Sequence, residues 1–231
     1  MIDFIFLDVG ETLLRPWPSF EELFISVCAE VGLTVEVDAV VNLHDATRVM
    51  QVVEETGIRN ASLDPERSRG FWTALYRRGL HELGIDNEEL VERLYQRFSS
   101  SSSYKLYDDV LPTIKQLKDE GYRLGVISNF DEWLEEMLVE LEIGALLDVS
   151  VISGIAGVEK PDPRIFQIAI DQAGVDPSRT VHVGDSIVSD VRPAAKMGMV
   201  PVLLDRAGRY PDEGCATITT LRELPALLGE L

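Results

Sequence analysis

Four short apolar runs in this chain each stop at polar or charged side chains, and no other feature constrains the fold as strongly. Phe4 to Leu7 ends in Asp8. Gly125-Val126-Ile127 ends in Ser128-Asn129. Val149 to Ile152 leads through a short loop to Glu159-Lys160-Pro161-Asp162-Pro163. Val181-His182-Val183 ends in Gly184-Asp185, with Asp190 five residues on. Apolar runs of this length, bounded by turn residues, read as buried strands. From about residue 105 they alternate with helical patterns: strand 122–128, helix 131–142, strand 148–153, helix 163–173, strand 180–184, helix 190–197, strand 200–204. That alternation predicts an α/β fold, a doubly wound and mostly parallel sheet with right-handed crossovers. Open α/β sheets bind ligands beyond the carboxyl ends of their strands. Asp8, Ser128, Asn129, Lys160, Asp185 and Asp190 are therefore expected to meet in one site.

The stretch 17–98 carries no strand pattern. Arg15-Pro16-Trp17-Pro18 reads as a linker. Ser19 with Glu22 three positions later is a capping-box signal for a helix running to about Val31, which Gly32 ends. Helical periodicity recurs over 36–55, 65–83 and 86–98. The run Ser99 to Ser103 reads as a flexible return hinge. The domain reading is a core of 1–16 and 104–231 interrupted by a helical insert, 17–103. In the core, Asp162, Pro163 and Gly174 punctuate the helix 163–173 as N-cap, first residue and C-terminal stop. Residues 216–231 read as a last strand or loop and a short helix without identifiable chemistry.

Composition excludes several classes. Net charge is −19, with 21 basic residues against 40 acidic ones, only five of the cations being lysine. No basic patch is visible, so nucleic acid is not an expected partner. No apolar run reaches the ~18 residues that span a bilayer. The N-terminus lacks a basic region and Asp8 interrupts its apolar stretch, so no signal peptide is expected and the cytoplasm is the expected compartment. Cys28 and Cys215 stand in no metal-binding spacing and read as free thiols. His44, His81 and His182 are scattered, and His182, inside a strand, reads as packed or paired rather than catalytic.

The four motifs, Asp8-Val9-Gly10-Glu11-Thr12, Val126-Ile127-Ser128-Asn129, Lys160-Pro161-Asp162-Pro163 and Gly184-Asp185-Ser186 to Asp190, resemble in order and separation those of the haloacid dehalogenase-like (HAD) hydrolase superfamily. Val126 to Asp131 and Lys160 to Gln167 are similar to the domain-containing 3 subgroup of that superfamily. The resemblance covers 1–16 and about 105–210. It implies a Rossmann-like HAD core with an inserted helical cap, a small phosphorylated substrate, Mg²⁺ as cofactor, and a monomer or homodimer. It implies Asp8 as nucleophile forming an aspartyl-phosphate. Asp8, the Gly10 carbonyl and Asp185 would hold the metal. Asp190 would ligate through water or orient Lys160, or else cap the next helix. Ser128 and Asn129 would donate to phosphate, or cap the turn before Asp131. Thr12 would hold the loop after the first strand.

Elementary chemistry runs parallel to the resemblance. An anionic nucleophile approaches an anionic ester only with cationic charge between them. Lys160 supplies one such charge and carboxylates at 8 and 185 can hold another.

One position departs from the family. Its phosphatases carry a second Asp where this chain has Gly10, and that Asp protonates the leaving oxygen; general acids of this kind contribute ~10²–10⁴-fold in rate. Glu11 is adjacent, but its side chain is expected to point elsewhere. The departure leaves open a phosphatase for good leaving groups or one with an acid from the insert, a non-catalytic phospholigand-binding protein, or a metal-independent 2-haloacid dehalogenase. Retention of Gly184-Asp185 speaks against the dehalogenase. A phosphonate-cleaving enzyme would need a lysine in the insert, and 17–98 contains none. The insert instead bears Arg48, Arg59, Arg67, Arg69, Arg77, Arg78, Arg93 and Arg97, each of which either balances the many acids or reaches a substrate anion. Arg15, beside the hinge, has the same two readings, and Trp17 and Trp72 read as packing residues.

Overall fold

The apolar run Phe4–Leu7 forms β1, whose four side chains are all buried. In the computed structural model, which describes residues 2–41, 43, 46–211 and 214–231, the further strands are β2 (Leu14–Pro16), β3 (Tyr104–Leu106), β4 (Arg123–Ser128), β5 (Val149–Ile152), β6 (Thr180–Gly184), β7 (Val200–Leu204) and β8 (Ala216–Ile218). Six of them make one sheet in the order β5-β4-β1-β6-β7-β8. Every neighbouring pair is parallel, with Leu7 opposite Val126 on one side and Val183 on the other. The chain winds outward from β1 in both directions. The order reverses there, so the carboxyl ends of β1, β4 and β6 flank the topological switch point.

The sheet is buried on both faces, as parallel sheets are. One face packs Phe4, Phe6, Ile127 and Val151 against Ile165, Phe166 and Ala169 of the helix Pro163–Ala173. Full burial of such a side chain stabilises by roughly 1.5–3 kcal/mol. Phe6 crosses the neighbouring strand at Gly125, where an added Cβ would lie 2.8 Å from the ring and 2.9 Å from the Val149 carbonyl. Only glycine fits there. The helix 163–173 has the expected punctuation: the Asp162 carboxylate accepts from Arg164 N–H, and Gly174 turns left-handed at φ 62°.

The chain divides into two compact units, Met1–Leu14 with Leu106–Leu231, and Arg15–Lys105. The second unit is helical. Its core gathers Phe20, Phe24, Val27, Tyr76, Leu80, Leu90, Leu94 and Phe98, with the Phe20 and Phe98 rings stacked at 4.8 Å. Ser19 caps the helix Phe20–Glu30. The predicted helix 36–55 is broken: Val37–Val40 and Ala46–Thr56 are separate pieces because Val41 takes an extended ψ of 131°. Positions 42, 44 and 45, His44 among them, lie outside the described residues. Helices Pro65–Glu82 and Glu88–Phe98 follow.

Two expectations change at the junctions. Leu14–Pro16, at the start of the Pro-flanked linker, and Tyr104–Leu106, directly after the serine run, are strands β2 and β3, which pair with each other. The serines are folded rather than a flexible hinge. Ser101–Ser103 form a 3-10 turn, the Ser103 hydroxyl donates to the Arg97 carbonyl, and the Ser103 carbonyl accepts from Trp17 N–H. Their own hydroxyls supply the local hydrogen bonds that compete with disorder. Most insert arginines pair with acids, as in Arg48–Glu82 at 2.9 Å, Arg69–Glu92 at 2.5 Å, Arg77–Glu88 at 2.6 Å and Arg93–Glu89 at 2.7 Å. Trp72 stacks on Tyr76. Both indoles are nonetheless exposed, Trp72 to 37% and Trp17 to 42%, and Trp17 has Arg15 and Lys105 over its ring.

Candidate functional site

Asp8 leaves the end of β1, its N–H held by the Val183 carbonyl at 2.8 Å. Lys160 arrives from the loop after β5. Both are buried, and Lys160 Nζ lies 2.5 Å from Asp8 Oδ1 and 2.6 Å from Asp190 Oδ1. Asp190 in turn meets His182 Nε2 at 3.0 Å through the same oxygen. Its second oxygen accepts from Ser186 N–H at 3.1 Å. Asp185 stands at the cluster's outer side, with Arg209 Nη2 3.8 Å from its Oδ2. Asp8, Asp185 and Asp190 each offer a carboxylate oxygen within 4.8 Å of the others.

The local sequence explains this geometry. Asp190 sits in a wide π-type turn, Ile187–Val191, whose cap is the Ser186 hydroxyl accepting from Ser189 N–H. Such turns are commonly retained at functional sites. Asp190 is therefore a partner of Lys160 and not the cap of the next helix. Gly184 makes room for it, since a Cβ there would fall 2.3 Å from Asp190 Cγ.

Asn129, read from the sequence as a phosphate donor, has both side-chain polar atoms on the Lys160 backbone: Lys160 N–H donates to its Oδ1 at 2.7 Å, and its Nδ2 donates to the Lys160 carbonyl at 2.9 Å. It fixes the segment that carries the ammonium. Ser128 is buried at the end of β4. The loop 9–14 is tied back by Glu11 N–H on the Leu14 carbonyl at 2.8 Å. Thr12 is buried, but its Oγ1 finds no hydrogen-bond partner among the described residues. The loop is held by Thr12's carbonyl instead, which accepts from Arg206 at 2.8 Å. Glu11 takes a left-handed φ of 54° and its carboxylate accepts from Tyr107 Oη at 2.8 Å. An added Cβ at Gly10 would meet nothing within 4 Å.

The charges are unevenly matched. Burial lowers the Lys160 ammonium's proton affinity, but the adjacent Asp190 and Asp8 outweigh it and hold the pKa above the ordinary lysine value. Burial raises Asp190, yet Lys160 and His182 bring it down to about 2. Asp8 ends above its ordinary value, because burial and Asp190 outweigh Lys160. Burial and the carboxylates of Asp8 and Asp190 push Asp185 up to about 7. One lysine does not neutralise three carboxylates. The donor set is oxygen only, which suits a hard divalent cation. Since Asp190 is occupied by Lys160, His182 and Ser186, the cluster's open carboxylate oxygens come chiefly from Asp8 and Asp185.

The family pattern of haloacid dehalogenase-like hydrolases matches residues 2–198. The chain belongs to this hydrolase family. It is 32% identical over 209 residues, 88% of this chain and 81% of the relative, to haloacid dehalogenase-like hydrolase domain-containing protein 3 of Bos taurus. It is 41% identical over 111 residues, 47% of this chain and 46% of the relative, to a glyceraldehyde 3-phosphate phosphatase of Methanopyrus kandleri. Its fold is that of a 2-haloacid dehalogenase from Pseudomonas syringae pv. Tomato DC3000, with TM-score 0.65, 23% identity, and 100% of this chain and 99% of that one covered. Relatives thus include enzymes named for phosphate esters and for haloacids, and the HAD fold alone does not choose between them.

His182 is both packed, on Phe166, and paired, with Asp190, as its place inside a strand leads one to expect, though the sequence does not name the partner; the contacts of Arg206 and Arg209 are absent from the sequence reading. His182 carried a usable signal: a histidine inside an apolar strand, two residues before Gly184-Asp185, needs a buried polar partner. Arg206 and Arg209 lie in a loop, where spacing says nothing about reach.

Proposed function

We propose that this HAD-family hydrolase cleaves phosphate esters of small metabolites with Mg²⁺ bound at the acidic cluster. One observation carries the reading: Asp8, Asp185 and Asp190 converge to within 4.8 Å around a single buried ammonium. That leaves negative charge that a divalent cation would balance. Asp8, Asp185 and the Gly10 carbonyl would hold the ion, with Asp190 behind them. When bound, Mg²⁺ supplies the positive charge that lets a carboxylate approach an anionic ester.

The chain's own residues do the rest. Asp8 forms a bond to phosphorus while the ester P–O bond breaks, giving an aspartyl-phosphate. The departing oxygen takes its proton from water, because Gly10 offers none. Water then attacks phosphorus, the bond to Asp8 breaks, and inorganic phosphate leaves. Lys160 neutralises Asp8 and the phosphoryl oxygens, and the Ser128 hydroxyl donates to one of them. Asn129 sets Lys160's place. The Gly10 position favours substrates with stable leaving groups, such as aryl or acyl phosphates. In this reading the helical unit 15–105 acts as the cap that selects the substrate.

A screen of phosphate esters with and without Mg²⁺ tests the proposal. Turnover should need the metal and vanish in Asp8→Asn; unchanged turnover in that variant would defeat the reading.

Gly10 also favours a second reading. In it Asp8 attacks C2 of a 2-haloacid, the carbon–halogen bond breaks, halide leaves, and water hydrolyses the ester to a 2-hydroxy acid. Halide release in the presence of a chelator would establish that chemistry, and its absence would remove it.

A further inference from the structure

We propose that His182 is a positioning residue: its Nε2–H holds Asp190, and through Asp190 it aims the Lys160 ammonium at Asp8. The activity consequence rests on the phosphatase reading above, whereas the contact itself does not. His182 is 1% exposed and sits in β6, opposite Phe6 in the sheet register. Its ring and that of Phe166 form a T-shaped pair, 5.2 Å between centroids. Backbone pairing and this packing fix the imidazole before any polar contact is made.

Nε2 lies 3.0 Å from Asp190 Oδ1. The other ring nitrogen, Nδ1, is buried and has no hydrogen-bond partner among the described residues. A hydrogen on Nδ1 would be an unsatisfied buried donor, costing about 1–3 kcal/mol. Hydrogen-bond logic therefore puts the proton on Nε2, facing the carboxylate. Asp190 Oδ1 is then shared by two donors, His182 and Lys160 Nζ at 2.6 Å, while Oδ2 is held by Ser186 N–H. With Gly184 against its Cγ, the carboxylate is fixed from several sides. Without His182, Oδ1 keeps only the lysine, and the carboxylate can pivot about its remaining Ser186 contact, drawing the ammonium off Asp8. Partners that orient active groups in this way typically matter by about 10–100-fold in metal affinity or activity.

The test uses the full chain with p-nitrophenyl phosphate and Mg²⁺, comparing wild type, His182→Gln and His182→Met. Glutamine can place an amide N–H near Nε2, whereas methionine fills similar volume without a donor. The methionine variant should lose about tenfold or more in kcat, with KM little changed. The glutamine variant should recover most of that loss. Full activity in the methionine variant, or equal impairment in both, would overturn the proposal. A second readout stands apart from activity. In ¹⁵N-histidine-labelled wild type, the His182 Nε2–H proton should resonate downfield and resist solvent exchange. Its absence overturns the contact even if the methionine variant does not fold. If the wild type hydrolyses no phosphate ester, the phosphatase reading fails alone and this resonance decides the role of His182.

Discussion

The Lys160 ammonium lies 2.5 Å from Asp8 Oδ1, and both groups are buried between strands that meet at the switch point of the sheet. The same nitrogen reaches Asp190 at 2.6 Å. Removing one partner of a buried pair leaves uncompensated charge and costs about 3–5 kcal/mol. Lys160→Met should lose stability on that scale in urea denaturation, and lose hydrolysis entirely. Adding Asp8→Asn to it should cost less than the sum of the single losses, because the stranded charge is removed.

Gly10 stands where the family resemblance leads one to expect a second Asp, and an added Cβ there meets open space. Gly10→Asp should therefore fold without steric strain, at a cost limited to placing another carboxylate beside an already acidic cluster. If leaving-group protonation limits turnover, the variant should gain about 10²–10⁴-fold on alkyl phosphates and far less on p-nitrophenyl phosphate. Parallel kcat measurements on the two ester classes check this.

Gly184→Ala should do the opposite. Its Cβ would fall 2.3 Å from Asp190 Cγ and push the carboxylate off Lys160. Overpacking of this kind costs about 1–3 kcal/mol. The alanine variant should melt lower and hydrolyse phosphate esters more slowly, while Gly10→Ala, in open space, should keep its melting temperature.

Asp109 binds Arg206 through both oxygens, at 2.8 and 3.0 Å, and also accepts from the Thr220 hydroxyl at 2.7 Å and Leu221 N–H at 2.8 Å. Burial raises its pKa, but these donors outweigh burial and hold it below the ordinary 3.8. The group thus contributes stability that is fully present above the unfolded-state value. That stability is lost as pH falls below 3.8 and through the lowered folded value, because the unfolded chain takes the proton first. Asp109→Asn should cost about 1.5–3 kcal/mol at neutral pH, the scale of hydrogen bonds to charged groups. The gap to wild type should shrink when urea melts are repeated toward pH 3.

Much of this was legible from residues alone. The strands at 4–7, 123–128, 149–152, 180–184 and 200–204 follow their apolar runs. The helix 163–173 begins and ends at its proline and glycine. The short strands β2 and β3 were not legible, because three-residue strands carry too little alternation to register. The break at Val41 was hidden for a similar reason, since helical periodicity continues across it. The insert's arginines were countable, but which acid each one meets was not.

The sequence by itself determined the parallel sheet and delivered Asp8, Ser128, Lys160 and Asp185 to strand ends, because apolar runs and their punctuation are local properties. Only the tertiary structure decided how those groups are used. It put Lys160 on Asp8 across 152 positions of chain, turned Asn129 onto the Lys160 backbone, and gave His182 to Asp190. Such pairings depend on where separate strands end relative to one another in space. Side-chain spacing along the chain does not encode that distance.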